Sequence, residues 1–343
     1  MGKYRVIFLV FIYISSIMFF LFSFNVFGQE TTMPLTIEPV YPESQNPQTK
    51  GYFDLNVNPE DELTLSIELT NHTDKEKIVS IEPANAFTSH TGGMLYQKES
   101  ESEDVKLLDD AIRLADSIQV EESVTISPNS TVKVPIQFTV PKSDGQTILG
   151  GLLISSKGET IEEQQEVEEG TANFTINTET VFAMAIQLNL PNSIDSNFQF
   201  GEAGFYGDLG QVYIQMINDA QKIQENVVGT YTIQNENGEE LYNGDFGPFK
   251  MSPKSAIRYP IEWGAGTLED GTYSLYVEVA GDLNVNAVKE FKINNEDIAE
   301  FVEKSNANVT VAKEETGIPS WIWIVGIILF GLLMFVLGRR KVT

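Results

Sequence analysis

Apolar and polar residues alternate in short runs through most of the chain. The clearest run places Leu63, Leu65, Ile67 and Leu69 between Thr64, Ser66, Glu68 and Thr70, and it closes at the turn-like segment 71–74. A period of two puts one set of side chains on each face of a strand, so one face is predicted to be buried and the other solvated. This alternation predicts an antiparallel strand of a half-buried sheet.

Similar runs recur along the chain, each bounded by Gly, Pro, Asn or Asp. The runs before the acidic segment are 35–40, 51–57, 63–69, 77–83, 94–96, 124–126, 132–140 and 148–155. Those after it are 173–190, 198–205, 212–218, 226–234, 240–242, 246–251, 257–263, 271–280 and 287–293. Strands of this length separated by turn signals are typical of antiparallel sandwiches. The predicted fold class is all-β, with two tandem immunoglobulin-like β-sandwiches.

Three segments depart from the pattern. Residues 104–117 place Val105, Leu108, Ile112 and Ala115 at helical spacing, which predicts a short helix or a loop crossing the edge of the sandwich. The Gly150-Gly151 pair inside a strand predicts a bulge or a close approach of backbones. The run GETIEEQQEVEEG is too acidic and too poor in apolar residues to pack, so it predicts a linker or an exposed hairpin tip.

The two ends of the chain are predicted to meet a membrane. Residues 321–338 are apolar and uncharged, long enough for a helix of roughly 27 Å, and Arg339, Arg340 and Lys341 follow at once. The basic tail is expected to stay in the cytoplasm. The N-terminus has a basic start and an apolar stretch, so residues 1–28 are predicted to be a signal peptide, with an uncleaved N-terminal helix as the alternative.

These segments give a domain plan with an outward-facing ectodomain. The predicted order is a signal peptide (1–28), a first sandwich (29–156), an acidic linker (157–172), a second sandwich (173–294), a stalk (295–320), a transmembrane helix (321–338) and a cytoplasmic tail (339–343). The residues alone do not assign strand 173–190 to either sandwich. No LPxTG-like pentapeptide precedes the apolar helix, so covalent attachment to the cell wall is not expected and the helix should persist.

Charge and composition limit the partners of the ectodomain. All 49 acidic residues and 17 of the 22 basic ones lie between residues 29 and 320, so nucleic acid and anionic lipid are poor partners. The chain has no cysteine although an exported chain meets an oxidising environment, which points weakly to a Gram-positive surface and leaves stability to hydrophobic cores.

Residues that carry chemistry are scarce. Without cysteine and with only His72 and His90, both in turn-like sequence, thiol nucleophiles are excluded and a zinc site is not expected. No nucleophile elbow, phosphate-binding loop, dinucleotide fingerprint or EF-hand loop is present. The acidic cluster Glu99, Glu101, Glu103 and Asp104, like the pair Asp109 and Asp110, lacks calcium-loop spacing. The prediction is a non-enzyme without cofactor or metal, with a wall-active hydrolase as the alternative.

Several segments carry a family resemblance. LTIEPVYPESQ, GYFDLNVNPEDELTLSIELTNHTDKEKIVSIEPANAFTSHTGGMLYQ and TILGGLLIS resemble the first domain of the WxL-interacting proteins of Gram-positive bacteria. VFAMAIQLNLP, NENGEELY, FKMSPKSAIRYPIEW and LEDGTYSLYVEV resemble the second domain of that family. The motifs are strands and turns, so they indicate the family better than they indicate a site. The Trp-x-Trp at 321–323 belongs to the predicted membrane helix and is not a WxL domain.

The resemblance implies a cell-surface protein that acts beside WxL-domain proteins. Its first domain would bind peptidoglycan and its second would bind host extracellular or other partner proteins, so an adhesin is the alternative to a wall-bound adaptor. Three weak ligand-binding candidates follow from their positions. Tyr52 and Asp54 lie on the predicted outward face of strand 51–57 and would contact glycan, although Asp54 is also expected to satisfy a neighbouring turn. Trp263 is either an exposed anchor of the second domain or part of its core.

Overall fold

The fold consists of two β-sandwiches in succession, as the alternation predicted. The computed structural model describes residues 33–100, 102–157, 179–263, 268–281 and 283–305. The predicted signal peptide, the acidic linker beyond residue 157, the transmembrane helix and the tail lie outside these ranges. No helix in the described ranges has the length and apolar character of a membrane span.

The first sandwich contains seven framework strands in two sheets. These are β1 (Leu35–Val40), β3 (Glu62–Asn71), β4 (Lys77–Thr88), β8 (Ser123–Ile126), β9 (Ser130–Thr139), β10 (Thr147–Lys157) and β11 (Glu179–Asn189). One sheet has the order β1-β3-β9, and in the other β4 lies between β8 and β10 while β11 pairs with β10. A further strand, β2 (Phe53–Asn56), pairs in parallel with the free edge of β11.

Strand β11 pairs with the first sandwich. The sequence set the second sandwich at 173–294 but left the ownership of strand 173–190 open, and in the structure Glu179–Asn189 pairs along its whole length with β10 of the first sandwich. Met184, Ile186 and Leu188 are buried in the first core. The acidic segment is therefore a connection between two paired strands of one sandwich.

The Gly150-Gly151 pair marks a close approach of backbones. The pairing of β10 with β4 and β11 keeps its register through both glycines. A Cβ on Gly151 would lie 2.4 Å from the carbonyl oxygen of Met184, and one on Gly150 would lie 2.8 Å from the Cβ of Leu114. The close approach predicted for this pair is confirmed.

The second sandwich repeats the same plan. Its strands are β12 (Phe198–Tyr206), β13 (Gln211–Asn218), β14 (Gln224–Gln234), β15 (Glu240–Met251), β16 (Ser255–Ile261), β17 (Gly271–Val279) and β18 (Val285–Ile293). They form the sheets β12-β13-β16 and β15-β14-β17-β18, which correspond strand for strand to the seven framework strands of the first sandwich. The two segments predicted at 240–242 and 246–251 form one strand, β15, whose pairing with β14 shifts register.

The helix α1 (Asn295–Ser305) begins the segment predicted to be a stalk. The side chain of Ile298 is buried in the second core, and the ring of Phe301 packs so closely on Gly210 that a Cβ there would lie 2.6 Å from it. Residues 295–305 are thus part of the second sandwich, because their apolar side chains bury against it.

An insertion in the first sandwich distinguishes the two domains. The connection between β4 and β8 spans residues 89–122, whereas the corresponding connection between β14 and β15 spans only residues 235–239. The insertion contains β5 (Met94–Gln97), β6 (Val105–Leu107), a 3-10 helix (Leu114–Ser117) and β7 (Gln119–Val120). The helix or loop predicted over 104–117 is therefore a strand followed by a single 3-10 turn.

The insertion covers one sheet edge in each sandwich. Strand β7 pairs with β9 of the first sandwich, and β6 pairs with β16 of the second. Because β9 and β16 hold equivalent positions, both sandwiches have this edge strand paired by the insertion. Unpaired edge strands invite association with other chains, and covering them prevents it.

Candidate functional site

Asp54 lies at the centre of a buried polar network beside β2. Its carboxylate accepts hydrogen bonds from Asn46 Nδ2 (3.0 Å), Thr49 Oγ1 (2.6 Å), Gln187 Nε2 (3.3 Å) and Asn189 Nδ2 (2.6 Å). Its exposed fraction is only 5%. The alternation placed Asp54 on the face opposite Phe53 and Leu55, and its bonds to Asn46 and Thr49 agree with the expectation that it satisfies a neighbouring turn. The alternative, a direct contact of Asp54 with glycan, does not fit, because the preceding loop covers the carboxylate.

Tyr52 belongs to a group of three tyrosines around this loop. The Tyr41 hydroxyl accepts a hydrogen bond from the Gly51 amide (2.7 Å), and Tyr52 packs, half-buried, against the first core. Burial, together with the nearby Tyr52 phenol, raises the pKa of Tyr96 to about 12. Tyr41, Tyr52 and Tyr96 are called the tyrosine group below.

Small residues follow one another across the sheet next to Tyr52. Phe53 pairs with Ile186, which places Tyr52 opposite Ala185 across the same edge. Ala185 pairs with Gly151, which in turn pairs with Ala84. Ala84 and Gly151 are buried and Ala185 is partly exposed, so only the Ala185 end of this strip, next to Tyr52, reaches the surface.

Trp263 is the centre of an aromatic cluster in the second sandwich. Its ring meets those of Tyr273, Phe205 and Phe291 edge to face, at centroid distances of 5.1, 6.5 and 6.5 Å. It is half-buried and packs against the second core. Trp263 therefore packs against the core, which agrees with the core alternative rather than the exposed-anchor alternative.

Hydroxyl groups join the two sandwiches where β16 begins. Ser252 donates from Oγ to the Ala86 carbonyl (2.6 Å) and from its amide to Thr88 Oγ1 (2.9 Å). The Thr88 and Ser255 hydroxyls are 2.6 Å apart, and all three hydroxyl-bearing residues are buried. Phe87 of β4 is also buried in the core of the second sandwich. The end of β4 is therefore shared between the domains.

A lysine reinforces the same junction. Lys254 Nζ donates to Asp110 (2.6 Å) in the insertion and to Asp219 (2.8 Å) in the second sandwich. The hydrogen bond from Lys254 lowers the pKa of Asp110 below its ordinary value. Burial opposes protonation of Lys254, but its two carboxylate partners raise its pKa overall.

A second polar cluster lines a cleft above this junction. Arg258 Nη2 donates to Glu202 (2.9 Å), and its guanidinium lies 5.0 Å from the centre of the Tyr213 ring. The Tyr206 hydroxyl donates to Asp104, whose carboxylate lies 3.6 Å from Arg258 Nη1. Burial, followed by the bond to Asp104, raises the pKa of Tyr206, which stays a neutral donor. Sequence reasoning missed this cluster because its members lie about a hundred residues apart.

The remaining sequence candidates have plain structural roles. His72 Nε2 lies 2.7 Å from Thr36 Oγ1. Glu99 pairs with Arg113 (2.8 Å), and the carboxylate of Glu103 lies 3.7 Å from Arg258. Within the described ranges no group of three or more histidines and carboxylates could hold a metal ion.

The fold and its surfaces define a class of protein, a tandem β-sandwich binding protein. Comparison with family models refines this class. Residues 35–156 match the WxL Interacting Protein peptidoglycan binding domain, and residues 171–303 match the WxL Interacting Protein host binding domain. Together the two matches cover about three quarters of the chain, so the protein belongs to the WxL Interacting Protein family, as the resemblance predicted.

Membership gives the two sandwiches distinct binding roles. The partner classes are peptidoglycan for the first domain and WxL or host proteins for the second, and the cell surface or wall is the compartment. The second family model begins at residue 171 and therefore includes β11, which the structure pairs with the first sandwich. Family boundary and structural boundary differ by this one strand.

Solved structures to which this chain is similar include bacterial chaperones. One is the CsuC-CsuE chaperone-tip adhesion subunit complex of Acinetobacter baumannii, with 12% identity over 76% of this chain and 98% of the other, and a TM-score of 0.34. Another is the E. coli chaperone DraB, with 14% identity over 71% of this chain and 96% of the other, and a TM-score of 0.27. Comparison with curated proteins finds no match.

Proposed function

We propose that this chain is a non-catalytic adaptor of the Gram-positive cell surface, anchored in the membrane by residues 321–338. Its first sandwich binds peptidoglycan, and its second binds a WxL-domain or host protein. The observation that carries the proposal is the match of one binding-domain model to each half of the chain. The apolar C-terminal run with its basic tail supports the anchor.

The tyrosine group is the proposed glycan contact of the first domain. Tyr52 is partly exposed beside the partly exposed Ala185, and Tyr41, whose hydroxyl holds the Gly51 amide, is 43% exposed. Asp54 acts here as a positioning residue, because its buried carboxylate holds the loop that carries Tyr52. Stacking a sugar ring on a phenol needs the ring in place before the ligand arrives, and the network provides this.

Sedimentation with insoluble peptidoglycan tests the first binding role. A chain of residues 33–305 contains both sandwiches, and it is expected to co-sediment with peptidoglycan in moderate salt. Tyr52→Ala is expected to weaken binding about tenfold, and Tyr52→Phe should keep most of it, since the ring supplies the contact. Tyr276→Ala is the matched control, because Tyr276 is a 41% exposed tyrosine of the second sandwich. If the wild-type chain stays in the supernatant, the proposed role of the first domain is wrong.

The second domain offers its own exposed apolar surface. Tyr276 of β17 pairs directly with Val288 of β18, and the two side chains are 41% and 56% exposed. We propose this pair, supported from within by the Trp263 cluster, as the protein-binding surface. Capture of a purified WxL-domain protein should be lost in the double variant Tyr276→Ser, Val288→Ser and kept in Tyr52→Ala. Capture of matrix proteins instead of the WxL domain would favour the adhesin alternative.

Two further experiments test the anchor and the absence of catalysis. The full chain should fractionate with membranes, and a chain ending at Ser320 should not. Incubation of residues 33–305 with peptidoglycan should release no soluble fragments. Fragment release would show that the protein is a wall-active hydrolase.

A further inference from the structure

A cleft of about 600 Å³ opens where the insertion meets the second sandwich. One wall contains Leu95, Gln97 and Asp104 of the insertion, and the other contains Tyr206, Gln211 and Arg258 of the second sandwich. Clefts of this size at domain junctions are common positions for small-ligand sites. The cleft exists only because the insertion reaches across, so neither sandwich alone contains it.

The walls of the cleft are held in register by backbone and side-chain bonds. Strand β6 pairs with β16, and the Arg258 amide donates to the Asp104 carbonyl (2.9 Å). The Tyr206 hydroxyl donates to the Asp104 carboxylate across the same gap. A site with fixed walls binds without the entropic cost of ordering them.

The charged groups of the cleft already have partners inside the protein. Glu99 pairs with Arg113 (2.8 Å), and Arg258 pairs with Glu202 (2.9 Å) while lying 3.6 Å from Asp104. A charged ligand would have to displace these pairs. The cleft therefore favours a neutral, polar ligand.

The uncharged amides of the cleft lack such partners. Within the described residues, the side chains of Gln97 and Gln211 make no hydrogen bond to the protein, although both line the cleft. A primary amide both donates and accepts, which suits hydroxyl and acetamido groups. Leu95 and Leu209 supply apolar surface beside them.

We propose that this cleft binds an acetamido sugar of a glycan strand, with Gln97 and Gln211 as its polar contacts from the two domains. The inference rests on the proposed peptidoglycan binding and deepens it, since it adds a contact to which the second sandwich contributes. A glycan strand lying on the tyrosine group and a sugar in the cleft are separate contacts with separate variants.

Titration with soluble tri-N-acetylglucosamine tests the cleft. Binding to residues 33–305, followed by calorimetry and by amide shifts in NMR, is expected to shift signals from both cleft walls. Gln97→Ala and Gln211→Ala are each expected to weaken binding about tenfold. Gln137→Ala is the matched control, because Gln137 is an exposed strand glutamine of the first sandwich outside the cleft.

The outcomes separate this inference from the proposed function. If the chain sediments with peptidoglycan while neither glutamine variant changes trisaccharide binding, or while the trisaccharide does not bind, the cleft inference is overturned and the proposed function stands. If a synthetic stem peptide shifts the cleft signals and the trisaccharide does not, the sugar assignment is wrong. If nothing sediments but the trisaccharide binds and both glutamine variants weaken it, the cleft site is supported and the proposed wall binding fails.

Discussion

Each sandwich contains its own copy of the same turn, which is exposed to solvent in the first sandwich and buried in the second. Residues 127–130 read Ser-Pro-Asn-Ser and residues 252–255 read Ser-Pro-Lys-Ser. In each turn the last serine donates from Oγ to the carbonyl of the first (2.7 Å), and the third residue has a positive φ of 50°. These segments are called the first and second Ser-Pro turns.

A buried asparagine accompanies each turn. Asn71 at the end of β3 donates to the Lys75 carbonyl (2.7 Å) and to the first turn, and Asn218 at the end of β13 donates to the Lys222 carbonyl (2.9 Å) and to the second. Each asparagine also accepts a bond from the amide two residues further on. Each Ser-Pro turn together with its asparagine is called a module below. The two modules support equivalent parts of the two sandwiches.

The surroundings of the two modules differ. The first turn is exposed to solvent, whereas Ser252, Pro253 and Ser255 of the second turn are buried against the first sandwich. The junction between the sandwiches therefore uses a turn that both domains contain, together with the insertion that only the first domain contains.

Removing the asparagine is expected to have the largest effect. Asn71→Ala and Asn218→Ala each leave several buried carbonyls or amides without a partner, at about 1–3 kcal/mol for each group. We expect a loss of about 3 kcal/mol or more in the free energy of unfolding for both variants. Urea unfolding measures this. A loss below about 1 kcal/mol in either would show that the module is not the shared support of the two folds.

Removing the serine hydroxyl is expected to lower the free energy of unfolding more in the second module than in the first. Ser255→Ala breaks buried bonds to Ser252 and Thr88 and should cost about 2 kcal/mol. Ser130→Ala removes the equivalent bond at a partly exposed position and should cost at most about 0.5 kcal/mol. The same urea experiment compares them. Equal costs would contradict the view that the second turn alone supports the junction.

Lowering the pH is expected to have the smallest of these effects on the free energy of unfolding, and it acts through the Lys254–Asp110 pair of the second module. Lys254 lowers the pKa of Asp110, so this pair stabilises the fold above the ordinary Asp110 pKa of 3.8. The contribution is lost as the pH falls through the lower pKa of the folded state. Because Asp110 is exposed, the effect is small. Comparing unfolding at pH 6 and pH 3 tests it, and Lys254→Met should reduce the difference between the two values.

The sequence predicted much of this fold and little of its junction. Alternation located the strands because each has one apolar face, and the Gly150-Gly151 pair indicated close backbones for the same local reason. The pairing of β6 with β16 has no local signal, since three residues of an acidic loop carry no recognisable period. The tetrapeptide Ser-Pro-x-Ser occurs twice in the sequence, but its contacts with Asn71 and Asn218 are seen only in the fold.

The candidate site residues also depend on contacts between distant parts of the chain, which local sequence patterns do not predict. Strand parity placed Tyr52 and Asp54 on one face, but it carried no information about the loop that buries Asp54. Trp263 lies among aromatic residues at 205, 273 and 291, whose proximity depends on the packing of two sheets. The Arg258 cluster depends on contacts between the domains.

Two-probe unfolding of residues 33–305 tests most directly the claim that the insertion joins both sandwiches into one binding unit. Trp263 is the single tryptophan of this segment, so its fluorescence reports the second sandwich, while circular dichroism reports both. The account predicts coincident transitions in urea, because strand β6 and the second Ser-Pro turn tie the two cores together. Two separated transitions, with the fluorescence change in only one of them, would contradict it.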